Sequence, residues 1–277
     1  MTTQDPTLRR VPRAALLGAV IALLLTGTAT TAAAEPDTLH GSGYVALGDS
    51  YSSGLGAGSY DFGSGECKRS ARAYPALWAK AHSPKSFSFT ACSGATTEDV
   101  RNGQLGPLSR QTGLVTLTAG ANDAGFAKVM QNCAVSPDDD SCIERVNESR
   151  AFIADVLPDK LGKLYDEIGR RAPAAHVVVL GYPRLYKLNG GCRIGLSERK
   201  RTAIDRAEDE LNAATVQAAA RHRFAFVDAN PTFRGHEICS ADPHPWLHSL
   251  TFPVEESYHP TADGQSRGYL PLLPSGG

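Results

Sequence analysis

The sequence predicts an α/β fold in which helices cover both faces of a central parallel sheet. Short apolar runs, most of them rich in β-branched or aromatic residues, alternate along the chain with longer segments of helical pattern. That alternation is typical of parallel strands joined by crossover helices. No internal repeat and no linker follow Glu35, so we expect a single domain.

Five strands and four helices can be placed from these patterns. Most strands end at glycine or small polar residues, and they are predicted at residues 44–47, 87–90, 114–118, 176–180 and 224–227. The helices are predicted at residues 73–81, 144–171 (with a break near Pro158), 197–222 and, as a short helix, 260–269. Residues 136–141, with three aspartates, are predicted to be a loop.

Residues 1–34 have the pattern of a secretory signal peptide. A basic start with Arg9, Arg10 and Arg13 precedes an apolar run at 14–25, and small residues follow. About a dozen apolar residues are too few to span a bilayer comfortably, whereas this order of segments is typical of a cleaved leader. We therefore expect a secreted protein starting near Glu35. The general export route is favoured over the twin-arginine route, and an uncleaved anchor is the alternative.

Composition and charge exclude several classes of function. The chain has 277 residues, with 28 Lys and Arg against 29 Asp and Glu, so nothing suggests a nucleic-acid partner. No stretch after the leader is long and apolar enough for stable membrane insertion. No large apolar stripe is evident either, and we therefore expect a monomer.

An even number of cysteines behind a signal peptide predicts disulfide bonds. All six lie after the leader, and six cysteines allow 15 pairings, so the sequence alone does not decide among them. Sequential pairing is favoured, and the pairs are Cys67 with Cys92, Cys133 with Cys142, and Cys192 with Cys239. The middle pair brackets one polar loop. A zinc site is disfavoured because no Cys-x-x-Cys motif is present.

Candidate site residues lie at or near the ends of the predicted strands, where sites form in open α/β sheets. The segments are Gly48-Asp49-Ser50, Ser93-Gly94, Gly120-Ala121-Asn122-Asp123 and, near the C-terminus, Ser257-Tyr258-His259-Pro260. Each segment alone is weak evidence, because such short motifs occur by chance. Together, and in this order, they predict one site.

These residue types suit acyl transfer to a serine. A serine hydroxyl needs an adjacent base, and histidine has a pKa near the working pH. Ser50 directly follows a strand and is expected to begin a helix, which exposes its hydroxyl. The Ser50 N–H, the Gly94 N–H and the Asn122 side-chain amide can converge on an oxyanion from three neighbouring strands. His259 is the candidate base.

The same segments resemble the sequence blocks of the SGNH (GDSL-type) hydrolases. Residues 48–54 are similar to the first block, Gly94 to the second, residues 120–123 to the third and His259 to the fifth. The resemblance covers the chain after the leader and looks closest to secreted lipases and esterases of Streptomyces-like actinomycetes. It implies a three-layer α/β/α, flavodoxin-like hydrolase domain over residues 35–277 and a serine carboxylic-ester hydrolase without metal or cofactor. By this resemblance, Ser50 is the nucleophile, His259 the base, and Ser50, Gly94 and Asn122 the oxyanion hole.

One position departs from the family pattern. The family often has an aspartate three residues before the histidine, where it orients the imidazole, and this chain has Glu256 there. Three acceptors remain open for the histidine Nδ1: the Glu256 side chain, a main-chain carbonyl of Glu256 or Ser257, and another carboxylate. Either of the first two would fix the tautomer of the ring.

The predicted activity is hydrolysis of the carboxylic esters of lipids, because a secreted enzyme linked by disulfides acts on external material. Triglycerides, short acyl esters and phospholipids all remain open as substrates. Deacetylation of a polysaccharide is an alternative that uses the same constellation, and a non-catalytic binding module on the same scaffold is another. An α/β-hydrolase is disfavoured because Ser52 stands where the Gly-x-Ser-x-Gly elbow has its second glycine.

Overall fold

Five parallel strands form the central sheet of the structure, a computed structural model that describes residues 42–275. The strands are β1 (Gly43–Ala46), β2 (Ser86–Phe89), β3 (Thr112–Leu117), β4 (His176–Leu180) and β5 (Ala225–Val227). Their order across the sheet is β2-β1-β3-β4-β5. The three central strands are almost wholly buried, whereas the two edge strands are partly exposed. The predicted signal peptide lies outside the described residues.

Eight α-helices accompany these strands within residues 42–275. They are α1 (Ser50–Ser53), α2 (Tyr74–His82), α3 (Thr97–Asp99), α4 (Phe126–Val135), α5 (Asp139–Asp155), α6 (Leu157–Arg171), α7 (Glu198–Arg221) and α8 (Asn230–Phe233). Turns of 3-10 helix cover Phe62–Cys67, Val254–Glu256 and Leu270–Leu272, and π-helical turns cover Val100–Gln104 and Gly264–Tyr269.

The strand order places helices on both faces of the sheet. The chain moves one way from β1 to β2, and then the opposite way to β3, β4 and β5. Right-handed crossovers in opposite directions put their helices on opposite faces. Accordingly, α2 packs against the C-terminal turn Gly264–Tyr269, while α5, α6 and α7 pack on one another. The predicted α/β sandwich with a parallel sheet is confirmed.

All five strands and two of the four predicted helices lie within two residues of their predicted positions. The loop predicted at 136–141 is wrong beyond Asp138, because that side chain accepts a hydrogen bond from the Ser141 N–H at 2.8 Å and caps α5. The break predicted near Pro158 comes at Val156. The short C-terminal helix is π-helical over Gly264–Tyr269, and α4 was not predicted.

Three disulfide bonds link segments of the described chain, and the second of them joins helices α4 and α5. The structure joins Cys67 to Cys92, Cys133 to Cys142 and Cys192 to Cys239, which is the sequential arrangement favoured above. The first bond ties the turn Phe62–Cys67 to the loop after β2, and the third ties the loop after β4 to the segment after α8. Within the described part of the chain, no helix combines the length and the apolar character needed to span a bilayer.

Candidate active site

The candidate site residues meet at the carboxyl edge of the sheet. Ser50 follows β1, Gly94 follows β2 and Asn122 follows β3. Since β1 lies between β2 and β3, the loops that carry these three residues are neighbours. His259 comes from the segment after the last strand, and its Nε2 lies 2.8 Å from the Ser50 Oγ.

The carboxylate of Asp49, the residue before Ser50, accepts three hydrogen bonds and thereby positions the start of α1. That carboxylate accepts from the Tyr51 N–H at 3.0 Å, from the Thr118 hydroxyl at 2.6 Å, and from the Tyr182 hydroxyl. Asp49 thereby caps α1, and Ser50 is the first helical residue. Its N–H therefore has no acceptor within the helix and can bind an oxyanion that forms beside the hydroxyl.

Gly48 sets the turn from β1 into α1. Its φ is 117°, and a Cβ at this position would lie 2.4 Å from the Thr118 carbonyl oxygen, so only glycine fits. The Gln104 side chain closes the turn from the other side, because its oxygen accepts from the Gly48 N–H at 2.8 Å and its nitrogen donates to the Gly48 carbonyl at 2.9 Å. Sequence reasoning missed Gln104, since nothing in its surroundings marks it.

His259 is held by the protein backbone on its other side. Its Nδ1 lies 2.9 Å from the Ser257 carbonyl oxygen, so this nitrogen must carry the proton and Nε2 must be the acceptor for the Ser50 hydroxyl. The chain turns sharply between these residues, because Tyr258 has a φ of 66° in the left-handed region. The Tyr51 hydroxyl donates to the Tyr258 carbonyl at 2.7 Å and supports the turn.

The Glu256 side chain is not the acceptor for His259, which corrects one of the alternatives left open by the sequence. Its carboxylate accepts a hydrogen bond from the Tyr60 hydroxyl at 2.6 Å. Tyr60 in turn accepts from the Gly56 N–H at 2.9 Å, so the glutamate belongs to a contact with the loop after α1. The second of the expected acceptors, the Ser257 carbonyl, takes the position at the ring.

Burial shifts the pKa of His259 and the pKa of Asp49, the residue next to Ser50, in opposite directions. Burial lowers the pKa of His259 to about 4, and the hydrogen bond to the Ser257 carbonyl only partly opposes this effect. Burial also raises the pKa of Asp49 to about 6, although its hydrogen bonds from Thr118 and Tyr182 lower it. The imidazole is therefore neutral near pH 7 and able to accept a proton.

The two other candidate donors, Gly94 and Asn122, lie in the loops on either side of the one that carries Ser50. Gly94 is exposed, with a φ of 78°, and a Cβ built there would meet no atom within 4 Å. The Asn122 amide donates to the Ala95 carbonyl at 3.0 Å, which leaves its second hydrogen for a ligand. A cavity of about 510 Å³ opens beside Gly94 and Asn122.

A carboxylate clamp joins the loops that carry these donors. Asp123 accepts from the Thr97 N–H and from the Thr97 hydroxyl, both at 2.8 Å. The loop after β2 is thus fixed to the loop after β3, as suits a site that needs preorganised donors. Among residues 42–275 no group of three or more His, Cys, Asp or Glu side chains is arranged to hold a metal ion.

Comparison with known proteins gives consistent matches. Residues 46–267 match the family model described as the GDSL-like lipase/acylhydrolase family. A lipase from Streptomyces rimosus is 55% identical over 96% of this chain and 98% of its own. The crystal structure of the extracellular lipase from that organism superposes with a TM-score of 0.81 at 58% identity, covering 84% of this chain and 98% of the other. Phospholipase A1 from Streptomyces albidoflavus gives 0.82 at 57% identity, with the same coverage.

Proposed function

The chain belongs to the GDSL-like lipase/acylhydrolase family and is a carboxylic ester hydrolase, and from this premise we propose that it cleaves lipid esters through an acyl-enzyme on Ser50. The observation that carries the proposal is the 2.8 Å contact between the His259 Nε2 and the Ser50 Oγ. This is hydrogen-bond distance for a base that activates a nucleophile. The proposed oxyanion hole consists of the Ser50 N–H, the Gly94 N–H and the Asn122 amide.

The first half of the reaction forms the acyl-enzyme. As the Ser50 Oγ attacks the ester carbonyl carbon, its proton passes to the His259 Nε2. The carbonyl oxygen becomes an oxyanion and is held by the three donors. When the intermediate collapses, the bond to the leaving alkoxide breaks, and the imidazolium returns its proton to that oxygen. The alcohol departs, leaving the acyl group on Ser50.

The second half releases the acid. A water molecule gives a proton to the neutral His259 as its oxygen attacks the acyl carbon, and the oxyanion forms again among the same donors. Collapse breaks the bond to the Ser50 oxygen, which recovers a proton from the imidazolium. During both halves the Ser257 carbonyl accepts from the Nδ1–H and keeps the ring in one tautomer, the part that a carboxylate plays in a full triad.

A small apolar cleft of about 40 Å³ next to the proposed oxyanion hole supports an acyl group as part of the substrate. It begins at Ala121, which precedes Asn122, and its lining includes Phe126, Met130 and Ile153. The Phe126 ring lies 6.4 Å from the His259 ring, measured between centroids, so one wall of the cleft lies close to the proposed base. The relatives' names, lipase and phospholipase A1, favour glycerides and phospholipids as ester substrates for this chain as well.

We further propose that residues 1–34 are removed on secretion and that residues 35–277 form the monomeric hydrolase. The leader pattern and the three disulfide bonds support an extracellular enzyme. N-terminal sequencing of protein from the culture medium should begin near Glu35. A start at residue 1 in a membrane fraction would contradict this proposal.

Hydrolysis of p-nitrophenyl esters of increasing acyl length by the purified protein tests the activity, with Ser50→Ala in parallel. We expect clear activity that the substitution abolishes and that persists toward long acyl chains. A strict preference for acetyl esters would exclude the lipid substrate and favour a short-chain esterase. Absence of activity in both proteins would overturn the proposed function.

A further inference from the structure

The most exposed large apolar side chains of residues 42–275 include several on the segments that flank His259. Six of them are more than half exposed, with Phe62, Phe252 and Ile194 at 102%, 90% and 88%. The six, here called the apolar rim, are Phe62, Val135, Ile194, Leu250, Phe252 and Val254. The other exposed large apolar residues, Phe87, Val156 and Val216, show only 37–41% of their surface.

Direct contacts bring the rim segments together. Phe62 belongs to the loop after α1, which contacts the segment of Phe252 and Val254 through the Tyr60–Glu256 hydrogen bond and a 3.6 Å ion pair between Lys68 and Glu255. Ile194 and Leu250 line one cavity of about 580 Å³, whose wall includes Tyr258, the residue before the proposed base, and residues on both sides of Val135. The rim segments therefore adjoin the turn that carries His259.

The rim segments are anchored to the body of the protein. Cys67 is bonded to Cys92 at the end of the turn that carries Phe62. The Ser257 hydroxyl lies within hydrogen-bond distance of both the Thr251 N–H and the Thr251 carbonyl, next to Phe252. The exposed side chains are therefore presented by tied loops, and patches of this kind mark binding surfaces.

Charges on these segments indicate what the rim binds. Lys68 pairs with Glu255, the Glu256 carboxylate accepts from Tyr60, and Asp61 accepts from the Gly63 N–H at 2.9 Å. Arg193, beside Ile194, and Glu66, in the turn that begins at Phe62, add one charge of each sign. Cations and anions are thus mixed on the rim segments, which does not favour a strongly charged partner. Exposed Phe, Ile, Leu and Val side chains can instead enter the acyl region of a lipid surface.

We propose that the apolar rim binds the surface of an aggregated lipid without net charge, such as a phosphatidylcholine bilayer, and holds the active-site mouth against it. The inference rests on the proposed function, because it places a lipid-facing surface around a lipid-hydrolysing site. It goes further in assigning the contact to six residues that take no part in the chemistry.

Binding can be measured without hydrolysis. In a Ser50→Ala background, sedimentation with phosphatidylcholine vesicles compares the parent with Phe62→Ser, with Phe252→Ser and with the double variant. Because Phe62 is fully exposed, its replacement leaves the folded core intact. We expect the partition constant to fall at least about tenfold in the double variant. Val216→Ser on α7 is the matched control, with less than a twofold change expected.

Hydrolysis separates this proposal from the function itself. The double variant with an intact Ser50 should keep its kcat/KM on soluble p-nitrophenyl acetate within twofold and lose at least about tenfold on phosphatidylcholine vesicles. Equal vesicle binding by the parent and the double variant would overturn the proposed role of the apolar rim. Binding that requires anionic vesicles would overturn it as well. If the parent protein were a dimer and the double variant a monomer, the rim would be a contact with a second copy, which would also overturn the proposed lipid binding. Vesicle binding without any ester hydrolysis would instead overturn only the proposed function.

Discussion

The two ends of the catalytic pair are built in different ways. At the nucleophile end, Ser50 lies beside a buried carboxylate with three donors and a turn closed by Gln104. At the base end, His259 is held on its outer side by one carbonyl of its own loop, that of Ser257. The sheet thus fixes the nucleophile, while a short turn orients the base. Substitution of the residues that support Ser50 should therefore lower stability, whereas the support of His259 rests on a main-chain oxygen that side-chain substitution does not remove.

Removal of either reacting side chain should give the largest effect, and the two losses should be equal. Ser50→Ala and His259→Ala are each expected to lower kcat/KM on a soluble p-nitrophenyl ester by at least about 10³-fold, with the double variant no worse than either alone. Circular dichroism checks that each variant is folded. If His259→Ala kept a tenth of the activity, the base end would not belong to the same catalytic unit.

Asp49→Asn tests whether the nucleophile end is structural. One of the carboxylate's two accepting oxygens becomes a donor, so a buried bond to Thr118 or Tyr182 is lost. We expect the free energy of unfolding to fall by about 1–3 kcal/mol, measured by urea denaturation. Asp61→Asn, at an exposed cap, is the control and should stay within about 0.5 kcal/mol. An unchanged urea midpoint for Asp49→Asn would contradict a structural role for the carboxylate beside Ser50.

The two ends should also respond to pH with opposite signs. The pKa of His259 lies below its ordinary value, near 4, so the unfolded chain binds more protons and stability is lost as pH falls from about 6.5 toward 4. The pKa of Asp49 lies above its ordinary value, near 6, so stability is lost as pH rises from about 4 toward 6.

The opposition gives a measurable difference between variants. Removing the Asp49 contribution with Asn should make unfolding stability rise more steeply with pH between 4 and 6 than in the parent protein. Activity should follow the base, and kcat/KM of the parent should fall on the acid side near pH 4 rather than near 6.5. Parallel stability profiles for parent and variant would show that Asp49 does not titrate in this range.

The smallest effect is expected for Glu256. Its carboxylate contacts Tyr60 rather than the His259 ring, so Glu256→Ala should change kcat less than about threefold at pH 7. Glu255→Ala, which removes only the surface ion pair with Lys68, is the matched control. A loss approaching that of His259→Ala would return the orienting role to the glutamate side chain.

Local signals account for what the sequence could predict. The strand 176–180 contains the continuous apolar run 177–180 and lies where it was expected, and Ser50 was recognisable because it follows an apolar run in a short motif. The aspartates at 138–140 led to the wrong prediction of a loop, because aspartate is typical of loops but is also a good N-cap of a helix. The capping role of one aspartate depends on the backbone that follows it.

Long-range partners account for what the sequence could not predict. Tyr182 reaches Asp49 across 133 positions, and Gln104 reaches Gly48 across 56. Neither contact leaves a pattern near either residue, because it exists only once the strands have paired. The acceptor for the His259 ring was also not predictable. It depends on the left-handed conformation of Tyr258, with a φ of 66°, and no neighbouring residue type indicates that conformation.

Because the proposed acceptor for His259 is a main-chain oxygen, no amino-acid replacement at position 257 deletes it. An alanine scan would report only the hydroxyl of Ser257, which ties the loop to Thr251. Related enzymes could exchange that side chain freely while the oxygen remains, so this part of the machinery is hidden from mutational screens and from comparison of sequences. Substitutions would affect this acceptor only through residues that hold Tyr258 in its left-handed conformation, such as Tyr51.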